Sequence, residues 1–505
     1  RRRGRARKRG PRRDGGACPG LASQRSAVRR LLGCLFALVA CGGDARAVSD
    51  PPEAAERAPT PPGASVDASH PLHGLVVRPA VPIRDAPDPE GAVLGYVRWG
   101  ERPRLRAPDE GPPRTRRCAS GWYEVAPRGW LCSGQGVEVG EEPPESEARA
   151  EPADRAATLP YQYFFVKAPL TPEYHRLPTP QQQDAAQAFA RRYLELKAEG
   201  KGRRAGRMWN GEIAVEPQRP VVVARYLARG CYVAATELRT RGQRRFVRTP
   251  GGAFVALASL DARTGAPALG VSLAGEEQLP IAWVRRNSCL RLHRDRYDGT
   301  LRTICDESLP GVERPERLGE WAGRENLKDR VYHRLERPEW EEPRYLKSWF
   351  VGVAERIDPP FAVAEGEPWV HIDLGEQTLV LYRGTEPVYA TLVSTGLDGH
   401  GTPTGVFRIH KKMLSDTMAD LGPDAGDESY RSQDVPWTQY FAGSVALHAA
   451  FWHGRFGIER SHGCVNLAPG DAAQVFAGTW PELPGAWHGV VVQRDERTSR
   501  VLVTD

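Results

Sequence analysis

The residues best suited to chemistry lie near the C-terminus, in VALHAAFWHGRFGIERSHGCVNLAPGDAAQVF, where His448 is followed sixteen residues later by Cys464 inside Ser461-His462-Gly463-Cys464-Val465-Asn466. A free thiol is mostly protonated at neutral pH, so a nucleophilic cysteine needs an imidazole base or an electropositive surrounding to raise its thiolate fraction. The separation exceeds any contact within one helix, so His448 reaches Cys464 only if two strands, or a strand and a loop, bring them together. Gly463 allows a backbone to approach a substrate closely. Pro469 can open a helix running through Asp471 to Phe476, and a nucleophile just before such a turn has main-chain N–H groups beside it for an oxyanion hole. Two other readings compete. An isolated Cys or His is more often structural, and His448, His453, His462 and Cys464 could be zinc ligands, but the spacings lack a paired metal-ligand motif and no carboxylate stands behind them. The expectation is thiol chemistry with no metal and no cofactor; His453 either lines the acceptor side or caps the FWHGRFG turn.

The elements that must position these residues begin at Trp369, where the sequence turns to clean alternation: WVHIDL, a Gly375-Glu376 turn and QTLVLYRG read as a hairpin, and EPVYATLVSTG and TPTGVFRIHKK continue the sheet. The ordered set of QTL, VSTG, TPTG, His448 and SHGCVN across residues 365–505 resembles the YkuD-like catalytic domain of L,D-transpeptidases. The resemblance implies Cys464 as nucleophile, His448 as its base, His462 and Gly463 with Ser461 around the oxyanion pocket, and Asn466, His453, Trp452 and Tyr440 on the substrate side. Another branch of that family carries Arg two residues after the cysteine; Asn466 stands there in this chain, which leaves the carboxylate contact open. The implied reaction is attack of Cys464 on a tetrapeptide stem of peptidoglycan, expulsion of D-Ala, and resolution of the thioester by an amine of a second stem or of a lipoprotein Lys. Resolution by water would make the same site an L,D-carboxypeptidase. A wall-binding lipoprotein with a degenerate domain is the alternative from another class, and the intact His448 and Cys464 oppose it.

Residues 413–443, with Met413, Met418, Tyr430, Trp437 and Tyr440, form a long polar and aromatic insert that joins the sheet to the histidine strand, and the expectation is a lid over the donor site.

Upstream the chain reads as mainly β and multi-domain: small SH3-like barrel modules before a β-rich catalytic domain with few helices. Residues 71–140 alternate between short apolar strands and Pro/Gly turns and resemble a bacterial SH3-like barrel; 141–160 is an acidic linker; 161–364 is a β-rich middle region with a possible second SH3-like unit at 220–300 and a poorer third near 300–355. One helix stands out, capped by Thr179 with Pro180 in its first turn and ended by Gly200. The 40-residue N-terminal segment looks like a secretory signal: Arg29 and Arg30 precede a short apolar run, Leu31 to Ala40, and Cys41 follows small residues as in the lipobox of bacterial lipoproteins. The Pro/Ala-rich stretch 41–70 would be an extended tether. The expected location is the periplasmic face of the cell envelope, with the chain exported and lipid-anchored through Cys41 to the outer membrane.

Charge and cysteine count agree with that address. The 505-residue chain has 70 Lys+Arg against 63 Asp+Glu, a formal charge of +7, but residues 1–40 hold 12 of the bases and a single acid, so the remainder is slightly acidic. The run RTRGQRRFVR at 239–248 reads as a solvated face or a contact to an anionic polymer, and no nucleic-acid partner is expected. A 40% hydrophobic fraction excludes global disorder. Cys118 with Cys132 and Cys289 with Cys305 are spaced for disulfides in an oxidising compartment; Cys231 has no obvious partner.

Overall fold

The computed structural model describes residues 69–145, 151–214, 216, 218–295, 301–305, 315–327, 330–420 and 430–505. The signal segment, Cys41, most of the 41–70 tether, the centre of the 141–160 linker and the tip of the 413–443 insert lie outside the described residues. The chain is mainly β and multi-domain, with three α-helices among the described residues: α1, Pro180–Ala198; α2, Gly202–Trp209; and α3, Pro469–Gly478.

The catalytic domain is two packed sheets. One has the order Val271–Ser272, Glu386–Leu392, Thr378–Arg383, Pro368–Asp373, Arg500–Thr504, Gly405–Arg408. Its inward residues Val370, Ile372, Leu379, Leu381, Val501 and Val503 are buried against Trp437, Phe441, Leu447, Ala449, Val465 and Leu467 of the facing strands, and against Val475 and Phe476 of α3. Those facing strands carry the candidate residues: Val445–Ala449, with His448, pairs in parallel with Val465–Leu467, which follows Cys464. A residue alternation of two puts His448 and Asn466 in register on the same ladder, so the sequence separation is closed by strand pairing rather than by a helix.

The described residues of the 413–443 insert, up to Ala442, are strand rather than loop. They belong to a hairpin of two long strands, Lys411–Asp420 and Tyr430–Ala442, paired along both outer edges. On one side Tyr430–Ala442 meets the middle-region strand Tyr232–Ala235, with Tyr232 opposite Ser432. On the other, Lys411–Asp420 meets Gly489–Val491, which in turn pairs with Val93–Val97 of the N-terminal module. The hairpin is thus the centre of one continuous fifteen-strand sheet, counted among the described residues, that joins all three regions.

The N-terminal module contains seven short strands from Leu72 to Gly140 around Val76, Ile83, Val97, Leu105 and Leu131, and Cys118 is disulfide-bonded to Cys132 with Cα atoms 5.8 Å apart. The stretch 220–300 does not close on itself as a second module. Its strands Val223–Leu227 and Phe254–Ala256 pair with Thr171–Tyr174, and Tyr232–Ala235 and Leu260–Arg263 pair with Gln162–Val166, so the unit starts near 161 and includes both early helices. Val271–Ser272 instead joins the catalytic sheet, and Ile281–Val284 starts a further β unit that runs to Val351–Ala354. The physical reason is composition: α1 buries Ala186, Phe189 and Leu196 against Tyr174, Tyr226 and Phe246, and without that helix the strands after 220 would leave this core open. Thr179 and Gln182 form the reciprocal capping box of α1. Cys289 and Cys305 are bonded within the later unit, and Cys231 is buried and carries no free thiol.

Candidate active site

The loop that presents Cys464 is built by the short motifs scattered before it. Gln377, in a left-handed conformation (φ 56°), donates to Thr395 Oγ1 at 2.6 Å and accepts from Thr395 N at 3.0 Å. Thr395 O receives the N–H groups of Arg460 and Ser461, and Ser394 exchanges both main-chain bonds with Asn466. Thr402 accepts from Gly396 N and donates to Gly463 O at 2.8 Å. Gly463 sits at φ 113°, a region that excludes other residues, so the turn before the thiol depends on it. Ser461 Oγ accepts from Gly463 N at 3.1 Å and donates to Cys464 O. The Gly463 N–H is therefore occupied inside the loop, which gives Gly463 and Ser461 a shaping role and leaves oxyanion stabilisation to neighbouring donors.

Cys464 is half-buried and is the free cysteine among the described residues. It opens into a cavity of about 170 Å³ whose lining includes His448, Trp452, Ser461, His462 and Asn466. His448 is 3% exposed, and its Nδ1 donates to the Ala449 carbonyl at 3.2 Å. A carbonyl can only accept, so this contact fixes the tautomer and leaves Nε2 with a free lone pair for a proton. Burial lowers the imidazole from 6.5 to about 4, against a smaller opposing effect of the Ala449 contact. Burial likewise pushes the Cys464 thiol above its ordinary value, partly offset by the Ala446 main-chain hydrogen bond. At neutral pH the pair is a neutral imidazole and a protonated thiol, which suits proton removal during attack rather than a preformed thiolate.

The remaining expected residues divide. Trp452, Asn466 and His462 line the cavity. His453 does not: its Nδ1 accepts from Arg455 N and its Nε2 lies 3.2 Å from the Asn466 amide, so it caps the turn and props Asn466 from behind. With Nδ1 accepting, Nε2 carries the proton, and the hydrogen-bond network assigns the Asn466 amide oxygen to face it. Tyr440 is also absent from the cavity, because strand alternation turns it toward Lys411 and its hydroxyl donates to Asp416 at 3.2 Å. The four proposed zinc ligands do not converge. Among the described residues no group of three His, Cys, Asp or Glu side chains is arranged to hold a metal ion.

Three cavity residues, Ser432, Tyr232 and Arg460, were not singled out from sequence, and Met418 was named there only as part of the insert. Met418 and Ser432 come from the hairpin, Tyr232 from the middle region, and Arg460 from the residue before the Ser-His-Gly-Cys block. Tyr232 lies far upstream of every motif of the catalytic stretch, and its pairing with Ser432 brings it to the cavity that holds the thiol. Arg460 was readable as a cation beside the nucleophile.

A half-buried thiol and a tautomer-fixed imidazole line one cavity at the edge of a two-sheet β domain, an arrangement compatible with nucleophilic thiol chemistry. Residues 367–479 match the family model for the YkuD L,D-transpeptidase catalytic domain, and the chain carries that domain there. Similar solved structures include an Enterococcus faecium L,D-transpeptidase mutant, 20% identical over 28% of this chain and 50% of that one, TM-score 0.22. Others are an L,D-transpeptidase from Stackebrandtia nassauensis, 22% identical over 29% of this chain and 59% of that one, TM-score 0.20, and one from Mycobacterium smegmatis, 20% identical over 35% and 90%, TM-score 0.23. The chain thus spans about half the length of the first of these. No curated protein matches the chain.

Proposed function

We propose that the protein is a peptidoglycan L,D-transpeptidase. The observation that carries this reading is the placement of Cys464 and neutral His448 in one cavity, His448 on a strand and Cys464 just before the strand parallel to it, within the matched catalytic domain. As the tetrapeptide donor binds, His448 Nε2 takes the thiol proton while Sγ attacks the carbonyl that follows the third residue. A C–S bond forms and the carbonyl oxygen becomes an oxyanion within reach of the Cys464 main-chain N–H. Collapse breaks the amide to the terminal D-Ala, whose leaving amine takes the proton from His448. The resulting thioester is attacked by an amine of a second stem; His448 accepts that amine's proton, the thiol is restored and a cross-link remains. Asn466, held by His453, and Arg460 supply polar contacts for the donor's carboxylates. Localisation follows from the substrate: we place the protein on the periplasmic side of the envelope, anchored through Cys41, with the seven-strand module as an SH3-like wall-binding unit.

Incubation of the full protein with tetrapeptide muropeptides, read by mass spectrometry beside Cys464→Ala, tests the assignment. Dimers and free D-Ala that vanish in the variant are the expected result. Tripeptide monomers alone would assign the L,D-carboxypeptidase reaction, and unchanged substrate with retained sacculus binding would assign a binding protein.

A further inference from the structure

The wall of the catalytic cavity does not end at the catalytic domain. From His448 a row of rings runs into the middle region: His448 to Trp452 at 5.7 Å between centroids, Trp452 to Tyr232 at 5.7 Å, and Tyr232 to Phe165 at 5.6 Å. Trp452, Tyr232 and Phe165 are each half-buried, so each presents part of a face to solvent while its other side is packed. Phe451 holds Tyr232 edge-on from beneath at 5.5 Å. The row ends at Arg263, whose guanidinium lies 5.1 Å over the Phe165 ring.

Strand register explains the alignment. Tyr232 and Asp261 both stand opposite Phe165, and Arg263 opposite Tyr163, so all of them share one face of the sheet. On that face Lys167 and Asp261 are paired at 3.0 Å and neutralise each other. Arg263 donates to its neighbour's carbonyl, Ala262 O, at 2.9 Å, and among the described residues no carboxylate forms an ion pair with it. Burial raises the Tyr232 hydroxyl above its ordinary value, with Arg263 opposing, so it remains a hydrogen-bond donor at working pH.

From these contacts we propose that Phe165, Tyr232 and Arg263 of the middle region form a saccharide subsite that continues the catalytic cavity and receives the glycan strand from which the stem peptide hangs. The backbone discriminates a sugar from a second peptide. Gln162–Val166 is already paired on both edges, and Tyr232–Ala235 is paired with it and with the hairpin, so the two strands that carry the rings offer an extended peptide no free edge; the sheet's terminal strand is Leu260–Arg263, beyond the rings. Recognition there must use side-chain faces. Ring faces suit the C–H surface of a pyranose, and the terminal guanidinium and the Tyr232 hydroxyl suit its oxygens. The subsite rests on the transpeptidase reading for its choice of polymer, and it assigns to the middle region the part of the substrate that the catalytic domain does not reach.

The test compares two ligands of the full-length Cys464→Ala protein by calorimetry: free tetrapeptide, and the same tetrapeptide on its disaccharide. The disaccharide form is expected to bind about tenfold more tightly. In Phe165→Ala and Arg263→Ala backgrounds that ratio falls to within about twofold, with circular dichroism and the melting temperature unchanged; Phe165→Leu, which keeps apolar volume, reports the loss if the alanine variant does not fold. Equal affinity for the two ligands, or substitutions that weaken both ligands alike, overturns the subsite. Turnover by the Cys464 protein separates the two claims: if neither ligand is converted, the transpeptidase reading fails, while the affinity ratio still decides whether saccharide is bound here.

Discussion

At the scale of single residues, the site depends on two shifted protonation equilibria. His448 is lowered to about 4 and must be neutral to accept a proton, so it is competent above that pH and inactive below it. The expected profile of kcat/KM therefore has an acid limb near pH 4 and no fall between there and neutrality; a limb near the ordinary imidazole value would contradict the burial of His448. The thiol is shifted the other way. Iodoacetamide should alkylate Cys464 slowly near neutral pH and progressively faster as the solution is made more alkaline than the usual thiol range, whereas a rapid, pH-independent reaction at neutrality would indicate a stored thiolate. The two residues were legible as candidates in sequence because SHGCVN and the motifs before it are consecutive letters. Tyr440 was misplaced for a local reason, since which face of a bulged strand a residue occupies depends on register shifts such as that between Tyr440 and Ala442, whereas His453 takes the second of its two expected places and caps the turn.

At the scale of elements, α3 is the support of the strand that follows Cys464, and it is gripped at both ends. In its first turn Asp471 is fully buried and accepts from Thr391 Oγ1, Tyr389 OH, Leu269 N and Gly270 N at 2.7–3.2 Å. In its last turn Lys412 Nζ donates to Phe476 O at 2.7 Å and Thr479 O at 2.9 Å, satisfying carbonyls that the helix leaves open. Asp471→Ala orphans four buried donors and is expected to cost about 3 kcal/mol of unfolding free energy, measured by denaturant titration; a change below about 1 kcal/mol would mean that water replaces the carboxylate. Burial lowers Lys412 from 10.5 to about 7. Its charged form is favoured in the unfolded chain, so Lys412 makes stability rise with pH between about 7 and 10.5 and adds no slope below that window. Comparing the slope of melting temperature against pH in the native protein and in Lys412→Met isolates this contribution, and equal slopes would contradict it. The sequence announced α3 through Pro469, but neither grip, since Asp471 and Lys412 find partners far away along the chain.

At the scale of the whole molecule, the two described strands of the hairpin, Lys411–Asp420 and Tyr430–Ala442, are a keystone. Their inner face carries a buried cluster in which Arg98 of the N-terminal module ion-pairs with Asp434 and donates to Ser415 Oγ at 3.2 Å, beside His488. Gly95 lets the module's strand lie against Gly489 and Trp487, where any side chain would overlap them. Removing one partner of a buried ion pair leaves the other uncompensated, so Arg98→Ala is expected to lower stability by about 3 kcal/mol and to raise hydrogen exchange along the hairpin strands; an Arg98→Met, Asp434→Leu double variant should recover much of the loss. Exchange confined to the N-terminal module would show instead that the regions are energetically separate. Alternation and turn residues made the β-rich, multi-domain character readable. They could not reveal that one sheet runs through all three regions, because the pairing partners of edge strands are chosen by tertiary contact, and the helix pair that completes the middle unit precedes the strands it covers.

The central claim is that Cys464 forms the acyl intermediate. Intact-protein mass spectrometry after brief exposure to a tetrapeptide donor without an acceptor amine addresses it most directly. The account predicts a single adduct equal to the donor less D-Ala, on the peptide containing Cys464, absent in Cys464→Ala and labile to hydroxylamine. Release of D-Ala at an undiminished rate by Cys464→Ala, or an adduct on another residue, would contradict it.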